Sequence, residues 1–374
     1  MTMAKMNLAP GANLTGTQVY FGMYTGEDSN GPIKWYVVAA DGDTVTLWTT
    51  TNIALSRYSE NSHGNWVDSQ ICRWLNAGFL HSAFSTPERG AMAAQYSTVK
   101  EQGFSGDPFI PCQTVVLPSV EEMAGEDSTT GTWGIDRTTR QAYYLNRNIP
   151  SNIKKASMPM WLGAPSTDSW WLRTPGWRWP RVEPDYVNRD PFATGRAFRP
   201  DFAQGIGVNG SIEGHMVHMG RGVKPAFKLN LSRVLFASAA VGGKSMAAVG
   251  KGLVALAEEN GPVKLTVLDA DMPVPVIEPA GPSCAEFKFS GAAAGQNRYV
   301  SCLLADESGG AVWYGKLADC AAAGSGAFAV PLEGVVAGTY RLRIFCELAD
   351  SDYFTDRAGA PVDMMLTVDG TRNE

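Results

Sequence analysis

The chain has 374 residues and carries 37 acidic against 31 basic side chains, a formal net charge of −6. This length favours two folded units over one, and the acidic balance argues against nucleic-acid binding, which needs a basic surface. No stretch approaches the ~20 consecutive apolar residues that span a bilayer, so membrane insertion is not expected. The first residues lack the apolar core of a secretory signal, which implies another route if the protein acts outside a cell.

Signatures of catalysis and metal binding are absent from the sequence. The six cysteines form no CxxC pair, and no histidine stands at zinc-ligand spacing. We interpret the cysteines as buried free thiols. One or two disulfides among the last four cysteines are an alternative that the sequence leaves open. There is no nucleophile elbow, zinc-protease helix, phosphate loop or dinucleotide fingerprint. We therefore predict a protein that is not an enzyme and has no cofactor, with a structural calcium left open.

The first half of the chain mixes strand and helix signals. Residues 1–17 have the pattern of a flexible arm, and apolar alternation predicts strands at 19–24, 33–39 and 44–49. A short strand is predicted at 114–117.

Three helices are predicted between these strands and the middle of the chain. Val67, Ile71, Trp74 and Leu75 share one face at helical spacing after Asn65. Thr86-Pro87-Glu88 opens a second helix, with proline at its tolerated first position. Ser119 to Glu122 has the spacing of a capping box and opens a third helix.

The second half has a different composition. Residues 237–260 are rich in Ala and Gly and indicate a linker with one weak helix around 253–259. Short alternating segments then predict an all-β Ig-like sandwich over 261–374. Gly338-Thr339-Tyr340 leads into the strongest strand, as in a tyrosine corner. The predicted strands are 263–268, 284–289, 299–304, 311–317, 327–332, 340–348 and 364–368.

Several motifs occur in order between residues 18 and 235. They are Val19-Tyr20-Phe21-Gly22, Ile33-Lys34-Trp35-Tyr36-Val37-Val38, Ile71-Cys72-Arg73-Trp74-Leu75-Asn76, Phe79-Leu80, Leu117-Pro118-Ser119, Trp170-Trp171-Leu172-Arg173-Thr174-Pro175-Gly176 and a closing segment at 223–229. Together they resemble a bacterial and phage family of unknown-function domains. The resemblance implies a C-type-lectin-like fold, related to the formylglycine-generating-enzyme fold, and hence an α+β domain over 18–236.

The resemblance extends to the variable proteins of diversity-generating retroelements, including receptor-binding proteins of phage tail tips. In those proteins a reverse transcriptase rewrites codons near the end of the lectin-like domain. The corresponding place here runs from Arg173 to Gly222, and it contains the variable-type segment 177–219. The formylglycine-generating relatives hold copper with two cysteines, and neither Cys72 nor Cys112 stands in a matching motif, so the resemblance implies no copper here.

Independently of any family, residues 177–202 have the composition of a binding surface. Trp, Tyr and Arg give large contact areas and directional hydrogen bonds, and four prolines favour a pre-organised loop. The candidate ligand-binding residues are Trp177, Arg178, Trp179, Arg181, Glu183, Asp185, Tyr186, Asn188, Arg189, Phe192, Arg196, Phe198, Arg199, His215 and His218.

Charge suggests a partner for this surface. Residues 171–228 hold nine Lys and Arg against five Asp and Glu, a balance of +4, which favours an acidic ligand. The alternative is that the aromatic side chains fold inward and the arginines pair with neighbouring acids. Asp185, Asn188 and Asp190 form the one compact oxygen-rich group that could hold calcium. Paired carboxylates such as Glu183 with Asp185 or Asp201 leave a carbohydrate-active enzyme open.

Two pairs near this surface are interpreted as structural. Trp170 and Trp171 point to opposite faces of a strand, so at least one should be buried. His215 and His218 could bind metal together only on a helix, and the glycines around them favour exposed loop positions.

The sequence therefore predicts a receptor- or ligand-binding protein on a phage tail or bacterial surface, with a cell-surface protein or glycan as ligand. The alternative is a structural component of a virion or envelope whose same face is a subunit interface. A homo-oligomer is left open.

Overall fold

The computed structural model of the chain describes residues 8–25, 30–49, 51–60, 66–67, 69–95, 113–124, 130–136, 166–178, 197–206, 212–256, 261–280, 286–306 and 310–368.

The described residues contain 22 strands and four short α-helices. The helices are α1 (Gln70–Trp74), α2 (Leu80–Ala83), α3 (Thr86–Ala91) and α4 (Val120–Ala124). The strands of the first part are β1 (Gln18–Thr25), β2 (Asn30–Asp41), β3 (Thr44–Trp48), β4 (Ala54–Arg57), β5 (Met92–Ala93), β6 (Val115–Val116), β7 (Ser166–Arg178), β8 (Ala197–Ile206), β9 (Ile212–Met216), β10 (Gly220–Val223), β11 (Ala226–Asn230) and β12 (Val234–Ala239). Those of the second part are β13 (Val254–Ala255), β14 (Val263–Leu268), β15 (Val276–Pro279), β16 (Glu286–Ser290), β17 (Arg298–Ala305), β18 (Ala311–Asp319), β19 (Gly326–Ala329), β20 (Gly338–Leu348), β21 (Asp356–Ala358) and β22 (Val362–Val368).

The fold class predicted from the sequence is wrong in its first part, the α+β C-type-lectin-like domain. Strands account for 50% of the structure and helices for 14%, so the chain is mainly all-β. Helices form where the sequence predicts them, but they are short. α3 has six residues, and its Ser85–Glu88 capping box is present. α1 begins at Gln70, later than the predicted start, because the Ser69 side chain caps it by accepting from the Cys72 N–H.

The core of the first part lies against the meander of β1, β2 and β3, which continues through β11. Trp35 on β2 is fully buried, and its indole N–H donates to the Phe21 carbonyl at 2.8 Å. Its ring meets Phe227 of β11 at 4.8 Å between centroids. Gly22 adopts a φ of +75° beside a register shift in β1, a conformation that favours glycine.

Two segments predicted as flexible or linking pack against the rest. Leu8 and Leu14, inside the predicted arm, are buried in the same core as Trp35. Within 237–260, a 3-10 turn at Gly243–Met246 and β13 replace the expected helix, and β13 pairs with β18. The helix predicted around 253–259 is thus wrong for residues 254–255, because cross-strand pairing overrides a weak local signal.

The second part contains two packed sheets. One consists of β15, β16 and β19, and the facing strands are β18, β17, β20 and β22. Their shared core includes Phe287, Phe289, Cys302 and Ile344. The Tyr340 hydroxyl at the start of β20 donates to the Val336 carbonyl at 2.9 Å, which is the contact of a tyrosine corner.

One sheet runs through both parts of the chain. β14 pairs with β1 and β21 in parallel and with β12 in antiparallel orientation. β21 in turn pairs with β20 of the sandwich. The strand predicted to begin the second domain is therefore continuous with the sheet of the first.

Among the described residues, no helix is long and apolar enough to cross a membrane.

Candidate binding site

A separate five-stranded sheet, ordered β4-β10-β7-β8-β9, carries the ends of the candidate surface. β7 and β8 form a long antiparallel ribbon that runs from the Trp170–Ile206 pair to the Arg178–Ala197 pair. Arg178 and Ala197 are the last paired residues before the connection. Residues 179–196 therefore leave and re-enter the fold at two adjacent backbone positions.

The candidate residues divide into three groups. Trp177 and Arg178 lie at the end of β7, and Phe198 and Arg199 lie on β8, where Trp177 and Phe198 are cross-strand partners. His215 lies on β9, and His218 follows it in a turn. The remaining nine lie outside the described residues: Trp179, Arg181, Glu183, Asp185, Tyr186, Asn188, Arg189, Phe192 and Arg196.

The two tryptophans at the base of the ribbon are both buried. Trp170 is 1% and Trp171 0% exposed, so both faces of β7 are covered at this point. The Trp171 indole N–H donates to the Ser56 carbonyl at 2.9 Å, and its ring meets that of Tyr58 at 5.3 Å. The base of the ribbon is thereby attached to β4 and the segment after it.

Arg173 attaches β7 to α4 and to the segment before it. Its guanidinium donates to both carboxylate oxygens of Glu122 at 2.5 and 2.8 Å and to the Leu117 carbonyl at 2.6 Å. The same Glu122 closes the capping box of α4, because it accepts from the Ser119 N–H at 2.7 Å. A paired fork of this kind fixes orientation as well as distance.

His215 is not the exposed loop residue that the sequence suggested. It lies on β9 and is partly buried, and its Nδ1 is 3.1 Å from Arg221 Nη2. Since an arginine only donates, Nδ1 accepts. Burial, and then the charge of Arg221, lower the pKa of His215 to about 4. The ring is therefore neutral at physiological pH. His218 is exposed, as expected.

Arg221 links His215 to the base of the ribbon. Its Nη1 contacts the Ser169 hydroxyl on β7, and Arg221 itself is only 8% exposed. Sequence reasoning missed this residue, as it missed Arg173, because a lone arginine is normally a surface residue. Two signals in the sequence could have indicated that they are buried: Arg173 follows the tryptophan pair closely, and Arg221 stands just before the closing segment at 223–229.

The positive balance of residues 171–228 does not describe a surface. Three of the nine cations, Arg173, Arg221 and Lys224, are buried. Residues 179–196 alone hold three arginines and three acids, which makes that segment formally neutral. The sum over 171–228 therefore overstates the charge of the candidate surface. With Arg178 and Arg199 at its edges, that surface holds five arginines against three acids, a balance of +2, and an acidic ligand stays a prediction.

Lys224 lies in the break between β10 and β11 and is 2% exposed. Its ammonium stands over the ring of Trp170, 3.9 Å from the centroid, a geometry that favours the charged form. Burial acts in the opposite direction and lowers the pKa of Lys224 to about 7.

We expect Lys224 to make stability depend on pH. The unfolded chain binds this proton below its ordinary pKa of 10.5, whereas the folded chain binds it only below about 7. The free energy of unfolding should therefore fall as pH falls from about 10.5 to 7, by at most about 1.4 kcal/mol per pH unit. Urea unfolding at several pH values in this window would measure the slope. Lys224→Met should remove that contribution and exposed Lys251→Met should retain it; equal slopes in all three proteins would contradict the assignment.

Within the described ranges, no group of three or more His, Cys, Asp or Glu side chains could hold a metal ion. Cys72, Cys302, Cys320 and Cys346 are buried free thiols. Cys112, Cys284 and the oxygen-rich group at Asp185, Asn188 and Asp190 lie outside the described residues.

Fold and site together define a mainly β protein in which an anchored two-stranded ribbon carries an 18-residue connection, residues 179–196. A family model described as Domain of unknown function (DUF6273) matches residues 43–231, just over half of the chain, and the chain belongs to this family. The match includes the whole ribbon and its connection. No curated protein and no solved structure matches the chain.

Proposed function

We propose that this protein is a non-enzymatic ligand-binding protein and that residues 179–196, with Trp177, Arg178, Phe198 and Arg199 at their edges, form its contact surface. The observation that carries the proposal is the β7–β8 ribbon, whose last pair joins the two ends of this segment. A cell-surface protein or a glycan is the proposed ligand.

Anchoring of the ribbon supports this proposal. Trp170, Trp171 and Arg173 fix β7 through buried contacts within ten residues of the connection. A loop on such a base loses less conformational freedom when it binds than a loop on a mobile base. Trp, Tyr and Arg are the residue types that dominate binding energy in interfaces, and this connection contains all three.

The direct test removes the connection without disturbing the ribbon. Because Arg178 and Ala197 are paired, a two-residue Asn-Gly turn can join them as a tight hairpin. We expect this variant to keep the melting temperature of the parent and to lose binding to ligands that the parent recognises. Binding would be measured on an array of neutral and anionic glycans and, by flow cytometry, on a panel of bacterial cells.

Point variants sharpen this result. The triple variant Trp177→Ala, Trp179→Ala, Arg181→Ala should reproduce the loss of binding, whereas Lys251→Ala, an exposed position elsewhere, should not. A shortened protein that is folded and still binds as the parent does would overturn the assignment. A shortened protein that changes its mass in solution would instead identify the segment as a subunit interface.

The proposal also includes diversification of this surface and a location on a phage tail or bacterial surface. Both points rest on the resemblance to the variable proteins of diversity-generating retroelements. Sequencing of the gene across sibling isolates tests the first point. We expect substitutions to cluster within codons 177–219 and to spare 170–176 and 223–229. A segment as invariant as its flanks would end the diversification proposal and leave a fixed binding surface.

A further inference from the structure

A cluster of four buried charged side chains lies where the sandwich joins the first sheet. It consists of Lys244 in the 3-10 turn Gly243–Met246, Lys264 on β14, Glu347 on β20 and Asp356 on β21. The lysine side chains are 2% exposed and both carboxylates 0%. Charged groups this deep need compensating partners, since isolated burial costs several kcal/mol per ion.

Lys244 contacts both carboxylates of the cluster. Its Nζ lies 2.7 Å from Asp356 Oδ2 and also contacts Glu347 Oε1. A third bond goes to the Thr266 hydroxyl at 3.0 Å. One amine nitrogen is thus held within hydrogen-bond reach of two carboxylates.

The two carboxylates have different surroundings. Asp356 Oδ1 accepts from the Asp350 N–H at 2.6 Å and from Lys264 Nζ at 3.1 Å, and Lys264 Nζ also lies 2.9 Å from Oδ2. These two donors are placed to stabilise negative charge that develops on Oδ1. Glu347 Oε2 accepts from the Tyr314 hydroxyl at 2.7 Å.

Apolar groups cover the cluster. The rings of Phe236 and Tyr314 each lie 5.1 Å from Lys244 Nζ, and Leu303, Phe345 and Ala358 belong to the same buried group. Burial alone would lower the pKa of Lys244, but the charges of Glu347 and Asp356 raise it above its ordinary value. An environment that excludes water strengthens these electrostatic contacts and protects a newly formed amide from hydrolysis.

We propose that Lys244 and Asp356 join in an intramolecular isopeptide bond, with Glu347 as the group that carries the proton. This inference is independent of the binding function proposed above.

The reaction is a condensation that needs no added reactant. One proton passes from Lys244 Nζ to Asp356 Oδ2 along their hydrogen bond, which leaves an amine beside a carboxylic acid. The nitrogen lone pair attacks Cγ, and the carbonyl electron pair moves onto Oδ1, where Lys264 and the Asp350 N–H stabilise it. Glu347 takes a second proton from the nitrogen and delivers it to Oδ2.

Water then leaves with the electrons of the Cγ–Oδ2 bond, and the carbonyl re-forms at Oδ1. Glu347 is regenerated as a carboxylate, whose charge the Lys264 ammonium balances, so the buried cluster stays neutral before and after the reaction. The new bond ties the turn at Gly243–Met246 to β21. It therefore closes residues 244–356, which include every strand of the sandwich except β22, into one covalent loop.

Mass spectrometry of the full-length protein under denaturing conditions tests the proposal. We expect an intact mass lower by one water molecule than the mass calculated from the sequence. Trypsin should then release one linked pair of peptides, 234–251 with 344–357, uncleaved after Lys244. Fragmentation of that pair should place the link between Lys244 and Asp356.

Two variants separate this link from other losses of water. Lys244→Met should show the full calculated mass, and Glu347→Gln should do so while it retains Lys244 and Asp356. An unmodified intact mass of the parent would overturn the proposal, whether or not either variant folds. Water loss that persists in Lys244→Met, or a link that maps to Glu347, would overturn it equally.

Discussion

Replacement of Trp171 by alanine is expected to lower the free energy of unfolding by about 3–5 kcal/mol, the range measured for deletion of large buried aromatic side chains. The side chain is 0% exposed, so the cavity left behind cannot be filled by solvent without cost. The variant also leaves the Ser56 carbonyl without the indole N–H that donates to it at 2.9 Å. Urea unfolding followed by circular dichroism would measure the change.

Two variants at related positions serve as controls. Trp171→Phe keeps an aromatic ring against Tyr58 and loses mainly the hydrogen bond, so we expect a loss of about 1–3 kcal/mol. Trp177→Ala lies six residues further along β7, at the proposed contact surface, and should change stability by about 1 kcal/mol or less while it weakens binding. If Trp171→Ala were as stable as the parent, the base of the ribbon would not be the anchor that the proposed function requires.

The strands could be predicted because their signal is local. Alternation of apolar residues placed β14 at 263–268, as observed, and the turn residues around it set its ends. β21 was missed. Its three residues show no alternation, and its position depends on pairing with β20 and with β14, whose Thr266 stands 90 residues before its partner Asp356.

The predicted fold class failed for a related reason. The Thr86-Pro87-Glu88 start and the capping-box spacing at Ser119 correctly marked where helices begin, yet they contain no information on how far a helix continues. α3 and α4 end after six and five residues. The α+β domain was inferred from the family resemblance together with these helix starts, whereas the cross-strand pairing that dominates the structure is non-local.

The site was predicted in part. The sequence identified the tryptophan pair as structural and the following segment as distinct, because composition is visible without a fold. It could not show that Arg173 pairs with Glu122, 51 residues earlier, or that Arg221 turns inward to Ser169. Both arginines were therefore counted as surface charge, and an acidic ligand was inferred from a sum that includes buried groups.

Replacement of Asp356 by alanine should have an effect as large as that of Trp171→Ala. The carboxylate is 0% exposed and lies between Lys244 at 2.7 Å and Lys264 at 2.9 Å. Its removal leaves two buried cations with the single carboxylate of Glu347. Loss of one partner from a buried ionic group typically costs about 3–5 kcal/mol. We expect a fall of that size in the free energy of unfolding.

The expected loss holds with the Lys244–Asp356 amide formed or unformed. In both states an oxygen of Asp356 accepts from Lys264 and from the Asp350 N–H.

Asp363→Ala is the matched control. It breaks a pair with Arg343 at 3.0 Å whose carboxylate is 40% exposed, and exposed pairs contribute about 0–1 kcal/mol. Equal effects of the two variants would mean that the buried cluster does not hold the sandwich to the first sheet. A large effect of Asp356→Ala alone would place the junction's stability in this cluster, because β21, which carries Asp356, pairs with both β14 and β20.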